Sequence, residues 1–268
     1  MSSQLPSFKT AALLLSISGI SPLCFAATLP ADSTLPVQFT RTIDANKARP
    51  GDSVTAKTIQ AIVLADGQTL PKGATLLGHV VEAHAFVFNP APYAVQTPSA
   101  LAIHFDSLQA RGTSLPVSLE VRALADDRLS QAASTPHYLL NDTGIAPTID
   151  QIGGDQYAPA GSSILSAKGD IVGYNRKQGA FAHLISNVSP DGSFACNAST
   201  TEQPVAIFSA SACGLYGFGS SASLSDNGQA TGGTFRVESI GYNVSLSEGS
   251  SALLQVIGTS AQAALPTE

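Results

Sequence analysis

Five side chains able to bind a metal ion fall within two neighbouring expected strands: His79, Glu82, His84, His104 and Asp106. Residues two apart in an extended strand share a face, so Glu82 lies with His84, and His104 lies with Asp106. If the strands pair, these four side chains converge, and imidazole with carboxylate suits zinc or a similar divalent cation. His79 is expected on the opposite face. The alternative, which we prefer, is a solvated polar face of a half-buried sheet, because such short matches often arise by chance.

A second polar cluster lies in the run YNRKQG, which begins at Tyr174. Arg176 could donate two parallel hydrogen bonds to a carboxylate, Tyr174 could stack on a sugar ring, and Lys177 adds a second positive charge. These residues are therefore a candidate ligand or partner surface. The alternative, which we prefer, is a hairpin tip whose charged side chains are solvated.

The sequence carries none of the short motifs that mark common catalytic sites. It contains no G-x-S-x-G, no H-E-x-x-H, no G-x-x-x-x-G-K and no C-x-x-C. The absence of these motifs excludes the best-known serine, zinc, phosphate-binding and dithiol sites. We predict no catalytic residue and lean towards a protein that is not an enzyme. No cofactor is expected, apart from the divalent metal considered above.

An apolar, proline-rich stretch separates the two strands that carry the histidines. Residues 85–99, AFVFNPAPYAVQTPS, contain three prolines, which lack the backbone N–H that regular strand pairing needs. Phe86, Phe88 and Tyr93 would form a partner surface if the stretch were exposed. The alternative, which we prefer, is a loop folded back over one end of the core.

The first 26 residues are typical of a cleavable signal peptide. Lys9 precedes an apolar run that starts at Ala11, and Ala26 supplies a small residue at the expected cleavage site. A membrane anchor is disfavoured because serines, a glycine and a proline interrupt the run. A lipoprotein acylated at Cys24 is the remaining alternative. We therefore expect export to the periplasm, the outer envelope or the medium, with no transmembrane segment after cleavage.

Two of the three cysteines remain after the expected cleavage. An even number of cysteines in an exported chain favours a disulfide, here between Cys196 and Cys213. Two free thiols or half of a metal site are the alternatives. The low charged fraction of 12%, the absence of Trp and the single Met are likewise typical of exported β proteins.

The elements that would position these residues are strands throughout. Turn signals such as Pro50-Gly51 and Asp66-Gly67 separate alternating apolar runs, which predicts about six strands and an N-terminal β-sandwich or small barrel at 35–124. Prolines and glycines at 125–162 predict a linker with a possible short helix. A second, disulfide-containing β unit is expected at 163–260, and a flexible tail at 261–268. The predicted fold class is all-β.

Residues 35–122 resemble the β-barrel domain of TrbI-type secretion-system envelope proteins. In that family an I-P-x-G-x-x-x-x-G turn belongs to a secretion-channel scaffold, and Leu70 to Gly78, LPKGATLLG, is similar with Leu in place of Ile. The family's cytoplasmic and transmembrane N-terminal parts are replaced here by the expected signal peptide. The resemblance implies a barrel fold and a scaffold role for about a third of the chain; residues 126–268 resemble no family.

These features together indicate a structural or binding protein. The net charge of −6 argues against nucleic acid or an anionic membrane as the main partner. We predict an exported, non-catalytic envelope or extracellular module whose partner is an envelope protein or a second copy of the chain. The alternative is an exported hydrolase or ligand-binding protein for polysaccharide or peptidoglycan, with or without a metal.

Overall fold

The computed structural model describes residues 28–110, 112–141, 144–226 and 233–257. The expected signal peptide at 1–26 and the expected flexible tail at 261–268 lie outside the described residues, and both stay predictions. Across the described part of the chain, no helix is both long enough and apolar enough to cross a membrane.

Strands make up 50% of the structure and helix only 3%, which confirms the all-β prediction. The first part of the chain forms nine strands: β1 (Thr34–Phe39), β2 (Ile43–Asp44), β3 (Ser53–Thr58), β4 (Ile62–Val63), β5 (Thr69–Leu70), β6 (Thr75–His84), β7 (Ser99–Ala110), β8 (Thr113–Pro116) and β9 (Leu119–Ala125). Helix α1 (Asp127–Ala132) follows, and the Asp126 side chain caps it by accepting a hydrogen bond from the Leu129 N–H.

The remainder of the chain forms two further groups of strands. The first is β10 (His137–Asn141), β11 (Gly144–Asp150), β12 (Gln156–Tyr157), β13 (Ser163–Leu165), β14 (Ile171–Arg176), β15 (Gly179–His183), β16 (Asn187–Val188), β17 (Ala195–Cys196) and β18 (Glu202–Pro204). The second is β19 (Gly214–Tyr216), β20 (Ala222–Asp226), β21 (Thr234–Ser239), β22 (Ser245–Leu246) and β23 (Ser251–Val256).

The largest sheet curls into a nearly closed barrel. Its strand order is β19-β9-β23-β1-β3-β6-β7-β21-β20, with β8 paired to β7 outside this path. The two terminal strands, β19 and β20, lie beside each other, which almost closes the ring. All neighbours are antiparallel except β19 and β9, which are parallel. Apolar side chains that alternate along the strands fill the interior, where Phe105 contacts Phe39 and Phe235 at ring distances of 6.4 and 6.0 Å.

The segment between β9 and β19 is an insertion into this barrel. It carries a second sheet in the order β10-β11-β12-β13-β14-β15-β18, with a small core of its own around Ile164, Ala182 and Val205. Phe208 of the insertion packs on Leu253 of the barrel, so the outer face of the barrel is covered here. Apolar contact between the two parts explains why β1 and β9 are buried on both faces.

Polar contacts also join the insertion to the barrel. The buried Gln60 side chain donates from Nε2 to the Ala180 carbonyl and accepts from the Ala206 N–H at Oε1, each at 2.9 Å. Thr34 donates its N–H to Oε1 of Gln203 at 3.0 Å. These amide side chains satisfy backbone groups at a junction where neither sheet supplies a partner, so they fix how the insertion sits.

A buried arginine and a disulfide hold the other side of the insertion. Arg122, only 2% exposed, donates to the carbonyl oxygens of Ile185 at 2.6 Å and of Asn197. Burial lowers the pKa of Arg122 to about 10, so it stays charged at neutral pH. The predicted disulfide between Cys196 and Cys213 is confirmed, with the two Cα atoms 5.9 Å apart.

Strand pairing crosses the boundary that the sequence predicts between the two β units. The predicted second unit, 163–260, includes β20, β21 and β23, yet these strands belong to the barrel sheet with β1 to β9. The predicted linker, 125–162, contains α1 but also β10 to β12. Pairing between strands distant in the chain leaves no local pattern, which is why turn signals alone misplace the boundary.

Asp155 gives the insertion a dependence on pH. It is 5% exposed and accepts a hydrogen bond at Oδ2 from the Ala210 N–H at 2.8 Å. Burial raises the pKa of Asp155 from its ordinary value of 3.8, although that hydrogen bond lowers it in part. A raised pKa means that the protonated carboxyl stabilises the fold below pH 3.8, and that this contribution is lost as pH rises through the folded-state pKa.

Asp155→Asn is therefore expected to be more stable than the wild type near neutral pH and about as stable below pH 3.8. The amide keeps an acceptor oxygen for Ala210 but carries no charge to desolvate. Urea unfolding at both pH values measures the difference in the free energy of unfolding. Asp170→Asn, exposed in the same insertion, is the control; an Asp155→Asn effect that does not grow with pH would contradict the assignment.

Candidate functional site

The predicted metal ligands lie on the outer face of three paired strands. In the register of β6, β7 and β21, His79 lies opposite His104, and Glu82 lies opposite Ala102, which in turn lies opposite Arg236. A bulge between Val80 and Glu82 adds one residue to β6. This extra residue brings His79 to the same face as Glu82, so the expectation that His79 points the other way is wrong.

Glu82 is occupied by an arginine rather than by the other predicted ligands. Arg236 donates to both of its carboxylate oxygens, at 3.0 and 3.2 Å, and also pairs with Glu238. His84 approaches Glu82 with its Nε2 at 3.2 Å. The small Ala102 lies between Glu82 and Arg236, so it leaves room for their bidentate contact across the sheet.

The other predicted ligands form a separate group with His79. Nδ1 of His79 lies 3.0 Å from Oδ2 of Asp106, whereas Nε2 of His104 lies 3.9 Å from Oδ1 of Asp106. His104 also contacts the Thr234 hydroxyl at 3.1 Å through Nδ1. Among the described residues, no group of three or more His, Cys, Asp or Glu has an arrangement that could hold a metal. Metal binding by Glu82, His84, His104 and Asp106 stays a prediction without geometric support.

The proline-rich stretch forms an exposed loop, which we call the apolar loop (residues 86–97). Phe88 is 69% exposed, Val95 91%, and Tyr93 is fully exposed, whereas Phe86 is half-buried. The preferred interpretation, a loop folded back over the core, is therefore wrong for these three side chains. Between Ala85 and Ile103 the sequence contains no charged residue, so the loop itself carries no charge.

A side-chain amide holds the backbone of the apolar loop through hydrogen bonds. Gln96 accepts a hydrogen bond from the Asn89 N–H at 2.8 Å and donates to the carbonyls of Asn89 and Ala94. Val87 and Thr97 exchange backbone hydrogen bonds across its neck. The conformation is thus held without any help from Phe88, Tyr93 or Val95, which leaves these side chains available for contact.

The polar run from Tyr174 forms the hairpin of β14 and β15. The guanidinium of Arg176 lies 5.6 Å from the Tyr174 ring centre and 5.4 Å from that of Phe181, and it pairs with Glu202 at 2.6 Å. Arg176 is therefore already engaged by a carboxylate and two aromatic rings. Lys177 lies exposed in the turn that follows. The prediction of a hairpin tip agrees with this geometry, whereas ligand binding by these residues stays a prediction.

A cleft of about 1200 Å³ lies between the barrel and the insertion. We call it the charged cleft. Arg176 and Lys177 contribute to its wall, and so do residues that the sequence did not single out: Gln38, Lys72, Asp127, Gln131, Gln178 and Glu248. Sequence reasoning missed these because they come from five separate parts of the chain, and only the strand pairing between distant segments brings them together.

Comparison with known proteins gives no relative for this arrangement. No protein-family model, curated protein or solved structure matches the chain. The resemblance to TrbI-type envelope proteins therefore stays a prediction.

Proposed function

We propose that the chain is an exported, non-catalytic structural or binding module of the cell envelope or the extracellular space, and that it docks on a partner protein through the apolar loop. The exposure of Phe88, Tyr93 and Val95 on an internally braced loop is the observation that carries this proposal. Exposed aromatic side chains on a stretch without charged residues are what protein interfaces favour.

The construction of the loop supports docking rather than a loosely packed surface. Its backbone is held by Gln96 and by the Val87–Thr97 bridge, so little conformational entropy would be lost on binding. The Phe86 N–H also donates to Oδ1 of Asn243 at 2.6 Å, which ties the base of the loop to the segment after β21. A rigid apolar projection of this kind is suited to insertion between the surfaces of a partner.

The signal-like first 26 residues, the low charge and the Cys196–Cys213 disulfide support the exported location. Disulfides persist in the periplasm and outside the cell but are rare in the cytosol. We favour an envelope protein over a second copy as the partner, because the resemblance of residues 35–122 implies a scaffold of several components.

The paired change Phe88→Ala with Tyr93→Ala is expected to release the protein from its assembly. Removal of two aromatic anchors should weaken association by roughly 30-fold or more if both are central to the interface. The native mass of the protein, extracted gently from its own cell envelope, measures this loss for the variant against the wild type. Stability should change by less than about 0.5 kcal/mol per site, because both side chains are exposed.

Ile171→Ala is the matched control, since Ile171 is 59% exposed on the insertion and lies outside the loop. It should leave the assembly unchanged. The purified wild-type protein should be monomeric by itself. If it forms the same assembly alone, the partner is a second copy, and the proposed envelope partner is wrong. A monomer in the gentle extract would contradict docking altogether.

The alternative function, binding or hydrolysis of polysaccharide or peptidoglycan, has one observation in its favour, the volume of the charged cleft. Hydrolysis lacks support from the histidines and carboxylates on β6 and β7, because Arg236 engages both oxygens of Glu82. We therefore retain only ligand binding as a second candidate.

A further inference from the structure

The charged cleft has opposite charges at its two ends. Its positive residues are Lys72, Lys177 and Arg176, the last of which is paired with Glu202. Its negative residues are Asp127 and Glu248. The backbone contacts described next place the positive residues at one end of the cleft and the negative residues at the other.

The positive residues lie around the C-terminal end of β3. The turn that carries Lys72 is held there because the Gly73 N–H donates to the Thr58 carbonyl at 2.8 Å. Gln60, two residues after β3, bonds to the Ala180 carbonyl at 2.9 Å, which places the β14–β15 hairpin with Arg176 and Lys177 beside the same strand end. Both turns thus present their cations to one end of the cleft.

The negative residues lie at the opposite end of the barrel. Gly249 donates its N–H to the Phe39 carbonyl at 3.0 Å, so Glu248 lies at the C-terminal end of β1. A Cβ atom placed on Gly249 would lie 3.5 Å from the Asp127 Cβ, which puts Asp127 beside it. Since β1 and β3 are antiparallel, their C-terminal ends are at opposite ends of the sheet.

Strand β1 gives the backbone separation between the two ends. The Ile59 N–H bonds to the Pro36 carbonyl at the positive end, and the Gly249 N–H bonds to the Phe39 carbonyl at the negative end. Three residues of extended strand separate these carbonyls, which corresponds to about 10 Å. Amide side chains of Gln38, Gln131 and Gln178 lie along the cleft.

We propose that the charged cleft binds an extended zwitterionic peptide segment. Carboxylates of the peptide lie at Lys72 and Lys177, its ammonium groups lie at Asp127 and Glu248, and the glutamines bond to its backbone amides. Sugars are less suited to the site, because Tyr157 is the one aromatic residue among the described residues that line the cleft, and saccharide binding favours open aromatic faces. This inference depends neither on the apolar loop nor on export.

The test uses three five-residue peptides, blocked at both termini and labelled with a fluorophore, with the full-length protein. The first has Glu at one end and Lys at the other, the second has Gln at both ends, and the third has Glu at both ends. An extended peptide of this length covers the required separation. Fluorescence anisotropy should show that the wild type binds the first peptide about ten-fold or more tightly than the second.

The wild type should also bind the mixed peptide more tightly than the peptide with Glu at both ends. Glu248→Lys places a positive charge beside the remaining Asp127, so it should remove this difference. Asp170→Lys makes the same change in net charge at an exposed site outside the cleft, and it should keep the wild-type preference. Because Glu248 and Asp170 are both exposed, neither change should prevent folding, which circular dichroism checks.

Equal affinity of the wild type for the mixed and the neutral peptide would overturn the proposal. Equal effects of Glu248→Lys and Asp170→Lys would also overturn it, because they would show a response to net charge alone. Loss of this difference in Glu248→Lys only would establish both the site and the direction in which the peptide binds.

Discussion

Arg122→Met is expected to reduce the free energy of unfolding by about 3–5 kcal/mol, because two or more hydrogen bonds from a charged group would be lost, each worth about 1.5–3 kcal/mol. The guanidinium donates to the carbonyls of Ile185, Asn197 and Ala210, at distances up to 3.5 Å. Met fills a similar volume but donates no hydrogen bond. Because Arg122 lies on β9 and the carbonyls lie on the insertion, its loss should loosen the insertion from the barrel.

Urea unfolding followed by circular dichroism measures this loss. Arg128→Met is the matched control, since the Arg128 side chain is 83% exposed, and its replacement should change stability by no more than about 0.5 kcal/mol. A loss below about 1 kcal/mol for Arg122→Met would show that water replaces the guanidinium at the carbonyls.

Removal of the disulfide by Cys196→Ala with Cys213→Ala is expected to cost about 3 kcal/mol in the chain-entropy model. The bond closes a sequence separation of 17 residues, and without it the unfolded chain gains conformational freedom. Urea unfolding of the wild type, with and without a reductant, should show the same loss. The double variant should not respond to reductant at all; a response would place the redox-sensitive group elsewhere.

The two effects should not be additive. Asn197, whose carbonyl accepts from Arg122, is the residue after Cys196, so the disulfide positions one of the acceptors of the guanidinium. A double-mutant cycle over Arg122→Met and the cysteine pair should therefore give a coupling of about 0.5–3 kcal/mol. Strictly additive losses would mean that Arg122 and the disulfide stabilise the protein independently.

The local features of the fold are predictable from the sequence. Gly51 and Gly67 adopt positive φ angles of 91° and 81°, as the turn signals around them indicate. Gly78 allows a close backbone approach between β6 and β7, since a Cβ there would lie 2.2 Å from the His104 carbonyl oxygen. The disulfide is predictable because only one pairing remains after the signal peptide. Each of these depends on residues that are close in the chain or on simple counting.

The candidate sites are less predictable because they depend on register and on distant segments. The bulge between Val80 and Glu82 moves His79 to the other face, and no residue type at that position indicates it. Arg122 is buried because the insertion, which the sequence presents partly as a linker, covers it. The charged cleft is lined by Lys72, Asp127 and Glu248, which come from distant parts of the chain.

The position of β23 in the barrel has a consequence for how the chain folds. This last strand lies between β1 and β9, so the sheet stays open along two edges until about residue 256 has been synthesised. Contacts between the ends of a chain are costly to form, and folding dominated by them is slow. Until then β1 and β9 expose unpaired strand edges that can associate with other chains. We therefore expect a binding factor or rapid completion of the chain to reduce aggregation of the incomplete protein.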